Sequence, residues 1–239
     1  MAKRPEYHNG GIYHVYNRGV EKRKVFLDSG DHVRFVHDLY VLNDEHAHLH
    51  GDRVFAHHAD GRDPISTMVE SRETLVDIIA WVLMPNHYHL VLQQRVDSGV
   101  SRFMQKLGIG YTMYFNERYE RSGVLFQGKY KVKEVATDEY LRHLVHYVHG
   151  NPTALWREGR VERGVVARAE AAVERLRGYR WSSYPDYVGE KNFPSVRSEY
   201  IADQLGLLKG KQCERDLRDW LQHYGKNVFA LGPIAIDAE

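Results

Sequence analysis

The sequence predicts an α+β fold, a ferredoxin-like βαββαβ antiparallel sheet with one added helix and a helical C-terminal extension. Up to about residue 155, segments with the apolar period of strands alternate with segments that have the period of helices. Their order is strand, helix, strand, strand, helix, strand, helix, which is the ferredoxin-like plan plus one helix. Beyond this point the chain is richer in helical patterns. We therefore expect one domain over residues 1–155, and a helical extension over residues 156–239 that is packed on it or linked to it.

The first strands and helix carry clear local signals. Residues 11–17 (GIYHVYN) mix β-branched and aromatic types after a Gly-Gly break, which favours a strand. A helical pattern opens at Asp31. Residues 74–83 and 87–94 are typical of two strands joined by Met84-Pro85-Asn86, and therefore predict a hairpin.

The later segments complete the plan. Ser98 or Ser101 is expected to cap a long helix, and residues 128–136 alternate basic and apolar types, as in a strand with one wet face. Thr137 is expected to cap the added helix at its beginning, and a glycine and a proline are expected to end it. The extension is expected to hold three helices, with an aromatic turn after the first: residues 164–176, 181–185 (the turn), 198–207 and 213–224.

The composition excludes several classes of protein. The hydrophobic fraction of 43% is ordinary for a globular protein. No apolar run approaches the roughly 20 residues of a membrane span, and MAKRPEYHNGG lacks the apolar stretch of a signal peptide. The single cysteine, Cys213, excludes an intramolecular disulfide and a cysteine-built zinc cage. We expect a cytoplasmic protein that does not bind a membrane.

Charge is unevenly distributed behind the net charge of +1. Residues 28–77 carry 11 acidic residues and 4 arginines, a balance of −7. Within them, residues 45–71 lack periodicity and predict a long loop. Residues 95–133 carry 8 basic and 3 acidic residues, a balance of +5, with aromatic residues between them. Such a segment is either a solvated surface or a face for phosphates and unpaired bases.

Two histidines on one predicted strand are candidate metal ligands. His87 and His89 are separated by one residue, so both imidazoles leave the same face of the strand. Imidazole is a good ligand for divalent transition metals. The same spacing occurs at His46, His48 and His50, in the predicted loop. From spacing alone, His87 and His89 are either ligands or ordinary half-buried histidines.

A tyrosine and an asparagine share a face of the added helix. Tyr147 and Asn151 stand four residues apart, beside the apolar stripe of this helix and in line with Tyr140 and His143. On the pattern alone, Tyr147 is either a packed aromatic residue or a functional group, and Asn151 before a proline is either a helix stop or a polar ligand.

Several motifs in order resemble those of REP-associated tyrosine transposases, which belong to the single-tyrosine HUH superfamily of insertion-sequence transposases. They are YHVYNRG, MPNHYHLVL, GVLFQGKY, YLRHLVHYVHGNP and WSSY, and they run from about Tyr7 to Tyr187. The resemblance implies a transposase that cuts and rejoins single-stranded DNA. The added helix is then the catalytic helix. After Pro152 the chain departs from the family, with Thr153-Ala154-Leu155 where Val-Arg-Ala is usual.

The resemblance also implies roles for individual residues. Tyr147 is expected to be the nucleophile, and His87, His89 and Asn151 are expected to bind a divalent metal ion, Mg²⁺ or Mn²⁺. Tyr88 occupies the hydrophobic slot between the histidines. The product would be a 5′-phosphotyrosine and a free 3′-hydroxyl, so rejoining needs no nucleotide cofactor. The phenol, with a pKa of about 10, must lose its proton to water, to the metal environment or to a neighbour such as His143.

The expected partner is single-stranded DNA that carries palindromic hairpins, bound by a monomer or a homodimer. Recognition is expected from the predicted loop and from the basic stretch. Arg18, in the Asn-Arg-Gly turn, is expected to contact DNA or the scissile phosphate. The full set of expected DNA-contacting residues is Arg18, Arg102, Lys106, Arg118, Gln127, Lys129, Lys131 and Lys133.

Three alternatives stay open at the level of the sequence. A ferredoxin-like sheet can hold single-stranded nucleic acid without cutting it, although no aromatic ribonucleoprotein motif is present here. A replication initiator or relaxase of the same superfamily would use the same chemistry. A metal-free RNA-processing endonuclease with this topology would use histidine acid/base chemistry and would survive chelation.

Overall fold

A four-stranded antiparallel sheet organises the molecule. The computed structural model describes residues 5–46, 73–156, 161–162, 165–166, 169–190, 192–193, 202–203 and 205–223. The strands of the sheet are β1 (Ile12–Arg18), β2 (Val76–Met84), β3 (His87–Gln94) and β4 (Lys131–Glu134). They lie side by side in the order β2-β3-β1-β4, and each neighbouring pair is antiparallel. This is the ferredoxin-like arrangement, so the predicted fold class is confirmed.

The β2–β3 hairpin has a two-residue turn. Met84 pairs with His87, so Pro85 and Asn86 make the connection, as the sequence predicted. The carbonyl oxygen of Pro85 also accepts hydrogen bonds from the backbone of Val25 and Phe26 at 2.8 and 3.1 Å. The turn is therefore held by the segment that follows β1.

Three long helices connect or flank the strands: α1 (Ser29–Val41), α2 (Gly99–Arg118) and α3 (Asp138–Gly150). Asp28 caps α1 by accepting a hydrogen bond from the backbone of Asp31, so this helix begins earlier than its pattern predicted. Ser98 precedes α2 but its side chain makes no capping bond, and its φ is 57°. Thr137 caps α3 as predicted, with its hydroxyl accepting from the backbone of Tyr140.

Each face of the sheet covers a separate hydrophobic core. On one face, residues such as Trp81 and Leu90 pack against Phe35 of α1 and Phe103 of α2. On the other face, Ile79, Val82 and Val91 pack against the apolar stripe of α3 and against residues beyond 155. Alternation along the strands produces this division, because successive side chains leave opposite faces.

The extension contains strands as well as helices in its described part. Its elements are β5 (Val161–Glu162), β6 (Val165–Val166), α4 (Ala169–Arg177), α5 (Tyr184–Tyr187) and α6 (Gly210–His223). The helix predicted over residues 164–176 is thus wrong at its start, where two valines pair as a strand and helix begins only at the Ala-rich run. Half of the helix predicted over residues 198–207 lies outside the described residues, as does the predicted loop after His46. The boundary near residue 155 stays a prediction.

The residues of the WSSY motif lengthen the sheet beyond β2. Ser182 forms a bridge with Val82, the backbone of Leu83 donates to the carbonyl of Trp181 at 2.8 Å, and the backbone of Ser183 donates to that of Trp81 at 3.0 Å. The extension therefore continues the hydrogen bonding of the sheet at this edge. None of the helices in the described ranges is both long and apolar enough to cross a membrane.

Candidate active site

The two candidate ligands of β3 lie on the face of the sheet that α3 covers. In the sheet register His87 stands opposite Arg18, and His89 stands opposite Tyr16. Both histidines are buried, His89 completely. Tyr88, between them, points to the other face and packs in the core beneath α1 and α2. The predicted alternation is confirmed, and the two imidazole rings are perpendicular with centroids 5.2 Å apart.

Helix α3 carries Tyr147 to this face because its apolar stripe packs on the sheet. The stripe comprises Leu141, Leu144, Val145 and Val148, all buried. Tyr147 and Asn151 lie beside it. The α-helix ends at Gly150, and Asn151 opens a 3₁₀ turn, but its φ of −53° and ψ of −40° keep the helical direction. The departure from the family pattern after Pro152 therefore does not move Asn151 off the strip it shares with Tyr147.

The four predicted groups meet at one place. The ring of Tyr147 is perpendicular to that of His89, with centroids 5.2 Å apart. The amide oxygen of Asn151 lies 3.3 Å from Nε2 of His87. Residues from a strand and from a helix about 60 positions further along the chain are thus brought together at the end of the hairpin.

His14 is a member of this group that the sequence analysis did not single out. Its Nε2 lies 2.9 Å from Nδ1 of His89, and the two rings stack with centroids 5.1 Å apart. Burial, and secondarily the charge of Lys133, lowers the pKa of His14 to about 3. Burial, with the neighbouring histidines, lowers the pKa of His89 well below its usual value. Both rings are therefore neutral at neutral pH.

The signal for His14 in the sequence is its place two residues before Tyr16 on β1, which puts it on the same face. Only the register of β1 on β3 places this face beside His87 and His89.

The donor set fits a divalent cation. Nδ1 of His87 donates to the amide oxygen of Asn86 at 2.7 Å, so in a neutral ring Nε2 holds a lone pair that faces the oxygen of Asn151. Two lone pairs at this distance repel unless a proton or a cation lies between them. Nε2 of His89 is buried and receives no hydrogen bond in the described part of the chain. The described residues contain no group of three or more His, Cys, Asp or Glu side chains that could hold a metal, so an amide has to complete this set.

Three of the predicted DNA-contacting residues border this site. Lys131 and Lys133 stand opposite Tyr16 and His14 in the sheet register, so they share the face that carries His87 and His89. Nζ of Lys131 is 6.0 Å from the centroid of the Tyr16 ring, and Nζ of Lys133 is 4.6 Å from that of Tyr140. Arg18 lies at the end of β1, beside His87. These cations form a positive margin along one side of the site.

Two further predicted contacts, Gln127 and Lys129, lie in the segment before β4. The backbone of Gln127 donates to the carbonyl of Arg18 at 2.8 Å, which fixes this segment at the end of β1. Both side chains are exposed.

The remaining three predicted contacts lie on α2, which covers the other face of the sheet. Arg102 pairs with Glu45 at 2.8 Å, and Lys106 donates to the carbonyl of Asp44 at 2.7 Å. Arg118 bonds to Asp28 and Asp31. These cations are paired with groups of the protein itself, and their part in DNA binding stays a prediction.

His143, which the sequence suggested as a proton acceptor, faces the extension. Its Nδ1 accepts a hydrogen bond from Nε1 of Trp220 in α6, at 3.2 Å. This nitrogen is therefore already engaged in the contact between α3 and α6.

Comparison with protein families finds a match that includes the four predicted groups of this site. Residues 63–151 match the model of the family described as "Transposase IS200 like", a segment that contains His87, His89, Tyr147 and Asn151. This segment is similar to IS200-like transposases, and the resemblance found in the sequence is confirmed over these residues.

No curated protein matches this chain. Among solved structures it is similar to "Structure of the REP associates tyrosine transposase bound to a REP hairpin", with 14% sequence identity and a TM-score of 0.48. The alignment covers 82% of this chain and 90% of the other.

Proposed function

We propose that this transposase is a hairpin-specific endonuclease and strand transferase for single-stranded DNA. It would form a 5′-phosphotyrosine through Tyr147, with Mg²⁺ or Mn²⁺ held by His87, His89 and Asn151. The observation that carries the proposal is the meeting of the Tyr147 ring with His89 where the Asn151 oxygen faces His87.

The proposed ligands suit a hard or borderline divalent ion. Two neutral imidazoles and an amide oxygen leave the charge of the ion uncompensated, so it stays attractive to a phosphate. When bound, such an ion neutralises phosphate charge and orients the scissile phosphodiester. His14 supports the set from behind, because its hydrogen bond to Nδ1 of His89 directs Nε2 of that ring toward the site.

The reaction exchanges one oxygen–phosphorus bond for another. The phenolic oxygen of Tyr147 attacks the phosphorus, a new O–P bond forms, and the bond from phosphorus to the 3′-oxygen breaks. The phenol loses a proton and the departing 3′-oxygen gains one, so the step balances without a redox partner or nucleotide. In the reverse direction a 3′-hydroxyl attacks the phosphotyrosine and releases Tyr147. A single tyrosine therefore performs cleavage and rejoining as separate steps.

The positive margin suits the DNA backbone. Arg18, Lys131 and Lys133 would contact phosphates on either side of the cut, because they lie on the catalytic face or at its end. The DNA has to be unpaired at the cut, since the strand must thread past α3 and the sheet. Selectivity for palindromic hairpins, and assembly as a monomer or homodimer, are carried over from the family resemblance.

The alternatives make different predictions. A module that only holds single strands would bind DNA but form no adduct. A metal-free endonuclease would cut in the presence of a chelator. A replication initiator or relaxase would form the same adduct but would not require hairpins.

The test is covalent capture of the cut strand. Hairpin oligonucleotides with randomised single-stranded flanks carry a label at the 3′ end, because the downstream fragment would retain the 5′-phosphotyrosine. The protein is incubated with them and Mn²⁺, and the products are separated on a denaturing gel. We expect a labelled protein–DNA adduct with the wild-type chain and none with Tyr147→Phe.

Tyr140→Phe is the matched control, since Tyr140 lies on the same strip of α3, and it should still give the adduct. Full cleavage by Tyr147→Phe would refute the nucleophile. An adduct that persists in EDTA would refute the metal.

A further inference from the structure

A cavity of about 640 Å³ lies on the face of the sheet opposite the histidines. One wall is α2, and the other is the segment of residues 124–130 that precedes β4. Its volume falls in the range of about 300–1,000 Å³ that is typical of sites for small ligands. The cavity also reaches Asn17 near the end of β1. It therefore opens beside the same strand end as the positive margin of the active site.

The hydroxyl of Tyr88 supplies a buried polar group to this cavity. Tyr88 is only 2% exposed and lines the cavity, yet no group in the described part of the chain hydrogen-bonds to its hydroxyl. A phenol hydroxyl can donate a hydrogen bond. A ligand with an acceptor atom in the cavity could take this hydrogen bond.

The rest of the lining suits a flat, partly polar ligand. Phe126 and Tyr130 offer aromatic rings, and Met104 and Leu125 offer buried apolar surface. Gln105 lies at the rim on α2, and its amide makes no hydrogen bond within the described residues. Aromatic rings together with a free amide are the groups by which proteins stack on unpaired bases and bind their polar edges.

Lys129 gives the cavity a free cation. It lines the cavity, is exposed and makes no ion pair with the described residues. This sets it apart from the cations of α2, which are paired with acidic residues or carbonyl groups. A free ammonium group beside an aromatic cavity suits the phosphate attached to a bound base.

Gly108 leaves the cavity open. It lies in the middle of α2, and a Cβ atom built on it would meet nothing within 4 Å. A residue with a side chain would favour the helix over glycine, but it would enter the cavity.

We infer that this cavity binds an unpaired base of the DNA strand, with the base between α2 and residues 124–130 and its phosphate at Lys129. The inference rests on the proposed function, because it takes single-stranded DNA as the ligand. It adds a second point of contact on the side of the sheet away from the chemistry. The strand would pass around the end of β1, between the cavity and the positive margin.

The test fills the cavity without touching the catalytic groups. Gly108→Leu places a side chain in the open space, whereas Gly108→Ala gives the same helix benefit and leaves most of the volume. Met113→Leu is a control on an exposed position of α2 outside the cavity. Circular dichroism and thermal unfolding check that all three variants fold. Binding of a labelled random-sequence 20-nucleotide single strand is measured by fluorescence anisotropy in EDTA, so that no cleavage occurs.

We expect Gly108→Leu to weaken binding about tenfold, within the range that one stacked base contributes. Gly108→Ala and Met113→Leu should bind as the wild type does. Tyr88→Phe, which keeps the ring and removes the hydroxyl, should weaken binding less than Gly108→Leu. With 5-iodouracil in the strand, ultraviolet crosslinking of the wild type should label Phe126 or Tyr130, and Gly108→Leu should lose this crosslink.

The outcomes separate the two proposals. Unchanged affinity of Gly108→Leu, with crosslinks only on the catalytic face, would overturn the base site and leave the proposed function intact. A wild-type chain that binds no single-stranded DNA would overturn both.

Discussion

His14 determines which nitrogen of His89 is available to an ion. The hydrogen bond between the two rings contains one proton, carried either by Nδ1 of His89 or by Nε2 of His14. An ion at Nε2 of His89 requires the first arrangement, because a neutral imidazole has one N–H only. His14 then carries its own proton on Nδ1, which is buried and has no partner in the described part of the chain. Binding of an ion at Nε2 of His89 therefore requires that the buried Nδ1–H of His14 stays without a hydrogen-bond partner among the described residues.

We expect His14→Phe to weaken Mn²⁺ binding by about 10- to 100-fold, the usual effect of losing a hydrogen bond to a ligating histidine. Phenylalanine keeps a ring against His89 but offers no acceptor for Nδ1–H. Isothermal titration of the protein with Mn²⁺ measures the change. His32→Phe is the control, because that ring stacks on Phe26 and Trp181 instead of on a ligand. Equal affinities of His14→Phe and the wild type would show that His14 does not support the ligand.

The predictable part of the site consists of local relationships. Alternation placed His87 and His89 on one face, and a spacing of four placed Tyr147 and Asn151 on one strip. Periodicity does not say which face of a sheet a helix covers. The expectation that His87 and His89 meet Tyr147 and Asn151 therefore came from the family resemblance. His14 could not be found in this way, since its contact joins residues 75 positions apart. The pairing of Arg102 with Glu45 likewise depends on tertiary neighbours.

At the scale of elements, α3 is held at both of its ends. Thr137 caps its beginning, and near its end His149 is buried with Nε2 2.9 Å from the hydroxyl of Ser183. The same hydroxyl accepts from the backbone of Trp81 in β2 at 3.0 Å. Ser183 thus joins α3, the sheet and the extension through one atom, and it helps to keep Tyr147 and Asn151 over β3.

We expect Ser183→Ala to lower the free energy of unfolding by about 1–3 kcal/mol, because it leaves His149 and the backbone N–H of Trp81 buried without their partner. Urea denaturation followed by circular dichroism measures the loss. Ser98→Ala is a matched control whose side chain makes no capping bond, and its effect should stay within about 0.5 kcal/mol. Equal effects of the two substitutions would mean that the Ser183 bond contributes little.

Long elements were predicted more accurately than short ones. The strand of residues 87–94 has the predicted bounds, and α2 and α3 begin after the predicted residues Ser98 and Thr137. The predicted strand over residues 128–136 pairs only over Lys131–Glu134, because Gly128 has a φ of 95°. The two-residue strands β5 and β6 show no periodicity at all, since a period needs more residues than they have.

At the scale of the whole molecule, residues 12–150 and the described residues beyond 155 share one core. Ile79 and Val82 of β2 and Leu144 of α3 belong to the same buried cluster as Leu176 of α4 and Leu217 of α6. The hydroxyl of Tyr187 also donates to the carbonyl of Ile79 at 2.8 Å. The sheet therefore depends on the extension to cover its second face, although the sequence changes character near residue 155.

We expect a fragment of residues 1–155 to lack a cooperative thermal transition, because removal of the extension exposes a continuous apolar surface on the sheet and α3. Circular dichroism on heating and size-exclusion chromatography test this, with a chain of residues 1–223 as the control that should unfold in one transition. A fragment of residues 1–155 that melts sharply and forms the DNA adduct would show that residues 1–155 fold independently.

The two edges of the sheet are protected in different ways against the addition of a further strand. Residues 181–183 cover the edge of the sheet at β2. At the other edge, β4 has only four residues, two of them lysines. Short lysine-bearing edge strands resist the addition of a further strand, because they offer few unpaired backbone groups and carry charged side chains along the edge. The cations proposed to receive DNA would thus also keep the protein from fibril-like self-association. Neutralising them to study DNA affinity should be accompanied by light scattering, since turbidity would rise as binding falls.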